Sequence, residues 1–112
     1  MTENLFDDDF LNECKKITEK YDKLCGKWSF ADQLNHIHDE VSEVSDVIRN
    51  KKDKYGIKGT AQYDLKLLDE VADVFLTTIS LVNILEVSNT SLNYAIWKKL
   101  EIVGKRVQEL SQ

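Results

Sequence analysis

Two short acidic motifs are the residues of this chain best placed to do chemistry: Glu40-Val-Ser-Glu43 and Glu70-Val-Ala-Asp73. On a helix, residues three apart lie side by side, with about 5–6 Å between Cβ atoms. Each motif therefore presents two carboxylates as a claw. Two claws that face one another repel, by about 4 kcal/mol per close pair at an effective dielectric of ~20. A hard divalent cation removes that repulsion, because Mg²⁺ takes carboxylate and water oxygens, and Mn²⁺ can substitute for it. Either motif alone reads as a solvated helix face. The pair reads as a metal site because the second motif opens a nearly uncharged helix, where unpaired carboxylates are costly. Inward acids from facing helices are a known plan for metal centres in helical bundles. Neither motif carries the Glu-x-x-His ligands of di-iron bundles, which argues against oxygen chemistry at iron.

Other polar residues fall around these motifs. His36 precedes Glu40 by one turn on the same face, either to touch substrate, to orient the carboxylate, or to serve as a hydrogen-bonded structural histidine. His38 points elsewhere. Lys51, Lys52, Lys54 and Lys58 lie between the acid helices, and Lys98, Lys99, Lys105 and Arg106 lie near the end of the chain. Cations beside a metal centre would bind polyphosphate, though most of these read as solvated. Trp28 and Trp97 read as core or interface residues and Asp7-Asp8-Asp9 as a solvated first turn. Cys14 and Cys25, eleven residues apart on one helix, are separated by roughly 16 Å, too far for a bridge. They read as reduced, largely buried thiols. No phosphate loop, nucleophile elbow or catalytic cysteine arrangement is present.

The elements that must position the acids are helices. The 112 residues contain no proline and four glycines, which removes the usual punctuation of an all-β fold. Phe10, Cys14, Ile17, Tyr21 and Leu24 make the stripe of a first helix that ends near Gly26. Ser29 with Asp32 forms a capping box for a second helix, striped by Phe30, Leu34, Ile37, Val41, Val44 and Ile48. Its acids lie about 100° from that stripe, at the flank of a core. A loop around Gly56 and Gly59 follows. The third helix, from about Asp64 to Val87, is apolar on every side beyond Asp73 and so predicts burial. Residues 88–91 cap a fourth, which carries Leu92, Ile96, Leu100, Val103, Val107 and Leu110 inward. The expectation is one all-α domain over residues 1–112, a four-helix bundle. The third helix has more apolar surface than its neighbours can cover, so a homo-oligomer completes it, a dimer or else a tetramer.

The net charge of −5 argues against nonspecific nucleic-acid binding. The start MTENLFDDDF lacks the regions of a signal peptide, and no apolar run reaches the roughly 18 residues of a membrane span. A cytoplasmic protein with no membrane partner is the expectation.

Taken together, these residues resemble the MazG-like nucleoside triphosphate pyrophosphohydrolases. That family carries E-x-x-E on one helix and E-x-x-D on the next, as at Glu40/Glu43 and Glu70/Asp73. Trp28 with Gln33-Leu34 leads into the first motif in a similar way. Asn83 matches an asparagine near the nucleotide, and residues 95–99 with Arg106 resemble the closing A-x-x-x-K and arginine pattern. The chain departs where Val103 replaces a frequent asparagine, and the segment between Asn83 and Ala95 is longer. The resemblance implies hydrolysis of a nucleoside triphosphate to the monophosphate and pyrophosphate, in the housecleaning of nucleotide pools. Mg²⁺ on Glu40, Glu43, Glu70 and Asp73 would activate water, or a glutamate would act as general base. His36, Asn83, Lys99 and Arg106 would bind substrate. A catalytically silent metal or nucleotide binder, or a protein-interaction module, is the alternative.

Overall fold

A computed structural model describes residues 7–111. The first six residues, on which part of the signal-peptide reading rests, lie outside the described residues. Four α-helices follow in order: α1 Asp8–Cys25, α2 Phe30–Arg49, α3 Ala61–Ile84 and α4 Asn89–Leu110, with a short 3₁₀ turn at Lys51–Asp53. No strand occurs among the described residues, and the chain is an all-α, four-helix protein. None of its described helices is long and apolar enough to cross a membrane.

Each helix starts where a side chain can satisfy its free N–H groups. The Asp7 carboxylate accepts from the Phe10 N–H at 2.8 Å, and Ser88 Oγ from the Ser91 N–H at 3.1 Å. At α2 the capping box is complete: Ser29 Oγ accepts from the Asp32 N–H, and the Asp32 carboxylate from the Ser29 N–H. The third helix begins three residues earlier than its apolar pattern indicates, because Thr60 serves as its cap. It ends three residues earlier, at Ile84, and Glu86 then takes a left-handed conformation.

Asn50 closes α2 and aims the loop. It is buried and left-handed, at φ 47°, ψ 50°, which asparagine tolerates better than most residues. Its side-chain oxygen accepts from the Tyr55 N–H at 3.0 Å, and its amide donates to the Gly56 carbonyl at 2.6 Å. Tyr55 is thereby fixed beside the start of α3.

Helices α2 and α3 form the main antiparallel pair, and α1 packs on α3. The buried residues of α2 are Gln33 and Val47, with Glu40 half-buried between them. At roughly 100° per residue this face lies about 90° from the apolar stripe of the same helix. The acid-bearing face, not the stripe, is turned toward α3. Phe30, Leu34, Val41 and Ile48 are consequently exposed.

The third helix repeats the inversion. Tyr63, Lys66, Glu70, Asp73 and Thr77 line the side facing α2, whereas Leu65, Leu68 and Phe75 on the outer side are 68, 64 and 58 % exposed. Its expected burial on all sides therefore fails within one chain: α4 reaches that outer face only around Ile79, and Leu65 and Leu68 are left exposed. The inward stripe expected of α4 fails likewise. Leu92 and Ile96 meet Val74, Phe75, Ile79 and Val82 of α3 around an apolar cavity, but Leu100, Val103, Val107 and Leu110 are exposed. The radius of gyration is 17.2 Å, where a compact chain of about this length reaches about 13 Å. Cys14 is half-buried and Cys25 exposed, so the expected burial of both thiols does not hold.

Candidate metal centre

The antiparallel pairing of α2 and α3 brings the two acidic motifs opposite each other. One carboxylate oxygen from each of Glu40, Glu43, Glu70 and Asp73 lies within 4.8 Å of the other three. Opposite ligands of a bound Mg²⁺ stand about 4.2 Å apart, so the cluster matches a divalent ion after a small contraction. Glu70 is buried, Glu40 and Asp73 are half-buried and Glu43 is exposed. The centre thus has a closed floor and an open mouth at Glu43.

The donors of this cluster are under-used by the protein itself. Glu40 Oε2 and Glu70 Oε2 are buried and accept no hydrogen bond when the carboxylates are ionised. Buried carboxylate oxygens without a donor carry a large desolvation penalty, which a cation would relieve. Two basic side chains do reach the cluster. Lys66 Nζ donates to Glu70 Oε1 at 2.7 Å, and His36 Nε2 stands 3.5 Å from Glu40 Oε1.

Crowding of like charge shows in the proton affinities. A hydrogen bond to Glu70 and the charge of Glu40 push the Glu43 carboxyl up to about 7. The Lys66 ammonium holds Glu70 below its ordinary value, and Glu70 in turn raises Lys66. Below pH 7 the metal-free centre therefore keeps a proton on Glu43 that is shared with Glu70. A carboxyl raised on folding contributes stability that is complete below its unfolded value, near 4.5, and lost as pH rises through about 7. Thermal melts in chelator should thus fall between pH 5.5 and 8.5, and Mg²⁺ should restore the loss at the alkaline end. A melting temperature that rises over this range would exclude the shared proton.

Beside the carboxylates, one turn toward the start of α2, lies a cavity of about 260 Å³ between α1, α2 and α3. Trp28 stands at its rim, edge-on to Tyr21 with ring centroids 6.2 Å apart and to His36 at 5.0 Å. Thr18, Asp22, Gln33, His36, Thr77 and Ser80 supply the polar part of the lining. Gln33 Nε2 donates to the Thr77 carbonyl at 2.8 Å and so ties α2 to α3. His36 belongs to both sites, at Glu40 on one side and in the cavity wall on the other.

The remaining candidates lie elsewhere. Asn83 lines a second cavity with Lys15, Lys27 and Ser88, and its buried Nδ2 has no hydrogen-bond partner. Ten residues beyond Asp73 on a helix place it roughly 15 Å along the axis from the carboxylates. Lys99 and Arg106 are exposed on α4, and neither pairs with any of the four acids among the described residues. The sequence reading omitted Lys66. Its signal was the spacing of four from Glu70, although Lys placed N-terminal to Glu is the weaker order on an isolated helix.

No family model, curated protein or solved structure matches this chain. The functional reading rests on the arrangement of its own residues.

Proposed function

We propose that the chain is a divalent-metal-dependent nucleoside triphosphate pyrophosphohydrolase of the MazG-like kind, cleaving the substrate to a nucleoside monophosphate and pyrophosphate. The observation that carries this reading is the convergence of four carboxylates from two facing helices, with buried oxygens that the protein leaves unpaired. The adjoining cavity supports it, because a triphosphate held at the carboxylates has an aromatic and amide-lined recess next to it for its nucleoside end.

Glu40, Glu43, Glu70 and Asp73 would hold Mg²⁺ or Mn²⁺, which supplies charge neutralisation for the phosphates and a more acidic bound water. Glu70 and Glu40, the less exposed glutamates of the four, would fix the position of a bound ion. Glu43, at the mouth, would take a proton from the attacking water. His36 links the two halves of the site, its ring packed against Trp28 while Nε2 addresses Glu40. Tyr21 and Trp28 wall the recess and would pack against the nucleoside end of the substrate.

The exposed outer face of α3 and stripe of α2 support a second proposal, that two copies of the chain associate through these faces.

Pyrophosphate release from a panel of canonical and modified nucleoside triphosphates, with and without Mg²⁺, tests the reaction. Metal-dependent release of pyrophosphate, with no inorganic phosphate, is the expected result. Metal binding with no release from any nucleotide would identify a silent binder instead. Absence of metal binding as well would leave the acids as a solvated face of an interaction module.

A further inference from the structure

Lys66 is the one lysine that touches the carboxylate centre among the described residues, and its position is hard to reconcile with a purely structural ion pair. The pair is unequal: the Lys66 side chain is 39 % exposed and that of Glu70 only 9 %. The ammonium reaches in from solvent to an oxygen on the floor of the cluster. Glu70 Oε2, on the same carboxylate, is left without a partner when Glu43 is ionised. A divalent ion drawn to these oxygens would stand close to the ammonium on Oε1, and two cations so close repel strongly in a half-buried site.

We propose that Lys66 is a resident counter-cation that yields Glu70 to the metal and then binds the terminal phosphates of the substrate. This rests on the metal-centre reading above and adds to it the group that holds the polyphosphate. The Tyr55 ring already flanks the ammonium in its contact with Glu70 and offers a surface to which it can swing. Lys66 Nζ lies 5.8 Å from the centroid of the Tyr55 ring, and Lys54 Nζ lies 5.2 Å from the same centroid. Tyr55 cannot drift, because Asn50 clamps its backbone to the end of α2. Lys54 and Lys66 therefore form a cationic lip beside the acids, on the side of the cluster opposite the aromatic cavity. A polyphosphate bridging the two would place its nucleoside end toward Trp28 and its terminal phosphates toward Lys66. Lysine suits the double role better than arginine, since a compact ammonium on a flexible stem can leave one oxygen for another without a fixed planar geometry. One lysine so used keeps the cluster partly neutral in both states.

Titration of the full chain with Mn²⁺ alone, then of the Mn²⁺-loaded chain with inorganic tripolyphosphate, tests this without any turnover. Lys66→Met should bind Mn²⁺ as tightly as the parent or up to about fivefold more tightly, since a weak competing ion pair is gone. Its affinity for tripolyphosphate should fall about tenfold or more, and Lys66→Arg should recover part of that loss. These opposed signs are the signature. Parallel weakening of Mn²⁺ and tripolyphosphate, in a Lys66→Met chain that still melts cooperatively, would make Lys66 only a support for Glu70 and overturn the proposal. Unchanged tripolyphosphate affinity would overturn it too. Failure of the parent chain to bind Mn²⁺ would show itself in the first titration, and both this proposal and the metal centre would fall there.

Discussion

Glu43→Gln should stabilise the metal-free chain at pH 8 and reduce pyrophosphate release by at least about 100-fold, more than the loss typical of a residue that only supports a ligand. Both effects come from the same geometry. In the metal-free centre Glu43 is best placed when protonated, because it then donates to Glu70 and drops its repulsion with Glu40. A glutamine amide donates in the same way at every pH. The substitution removes the pH-dependent loss of stability and leaves the α2–α3 pair intact. With metal present the balance reverses, since a neutral amide is a poor replacement for a carboxylate as a ligand of a hard dication. A parent chain in Mg²⁺ at a hundred times its dissociation constant gains about 2.7 kcal/mol, and the variant should lose nearly all of that gain. Asp73→Asn should follow it in activity. Melting curves at pH 8 with chelator and with Mg²⁺, beside the release assay, decide the matter. A solvated acidic face would show neither change, and a purely structural Glu43 would show a destabilised metal-free variant.

The opposition of stability and function also explains what the sequence could reveal. Glu40, Glu43, Glu70 and Asp73 were legible because carboxylates at helical spacing near an apolar helix need a reason to be there, and helix geometry then fixes each pair. That the two pairs would meet follows from an antiparallel hairpin with a loop fixed at Asn50. The helix starts were legible at Ser29 and Ser88, where short polar side chains cap free N–H groups, whereas Asp7, read as part of a first turn, is the cap of α1. The direction in which α2 would turn was not. Its apolar stripe is the obvious core face, yet Gln33, Glu40 and Val47 are what it presents to α3. Periodicity identifies which residues share a face, but not which neighbour that face meets. The cavity at Trp28 and Tyr21 was equally hidden, because it is made by three helices distant in sequence. Lys66 escaped notice because a lysine four residues before a glutamate is ordinary until the glutamate is known to be buried.

On the proposed association of two copies, Phe75→Asp should leave only monomer at micromolar concentration, and the proposal follows from the inverted packing of α2 and α3. A single chain leaves Leu65, Leu68 and Phe75 of α3 and Leu34, Val41 and Ile48 of α2 in water. Monomeric proteins rarely expose contiguous apolar patches larger than a few hundred Å², while a stable interface needs about 800 Å² from each partner. Phe75 is the largest of these side chains on α3, set beside the cavity that Leu92 and Ile96 of α4 share with it. As an anchor of the interface its truncation to alanine should cost at least about 2 kcal/mol, or roughly 30-fold in dimer affinity. A carboxylate at the same place would be buried without a partner and should abolish association. Light scattering at several concentrations reads the mass directly, and a parent chain that is monomeric at micromolar concentration would sink the interface. The two stabilising agents are also separable. Chelator removes the cation from the polar side of the α2–α3 pair and should lower the melting temperature without changing the mass. Phe75→Asp acts on the apolar side and should change the mass while the four carboxylates still take up metal. The proposed cation and the proposed interface act on opposite sides of the same helix pair, so each can be withdrawn by itself.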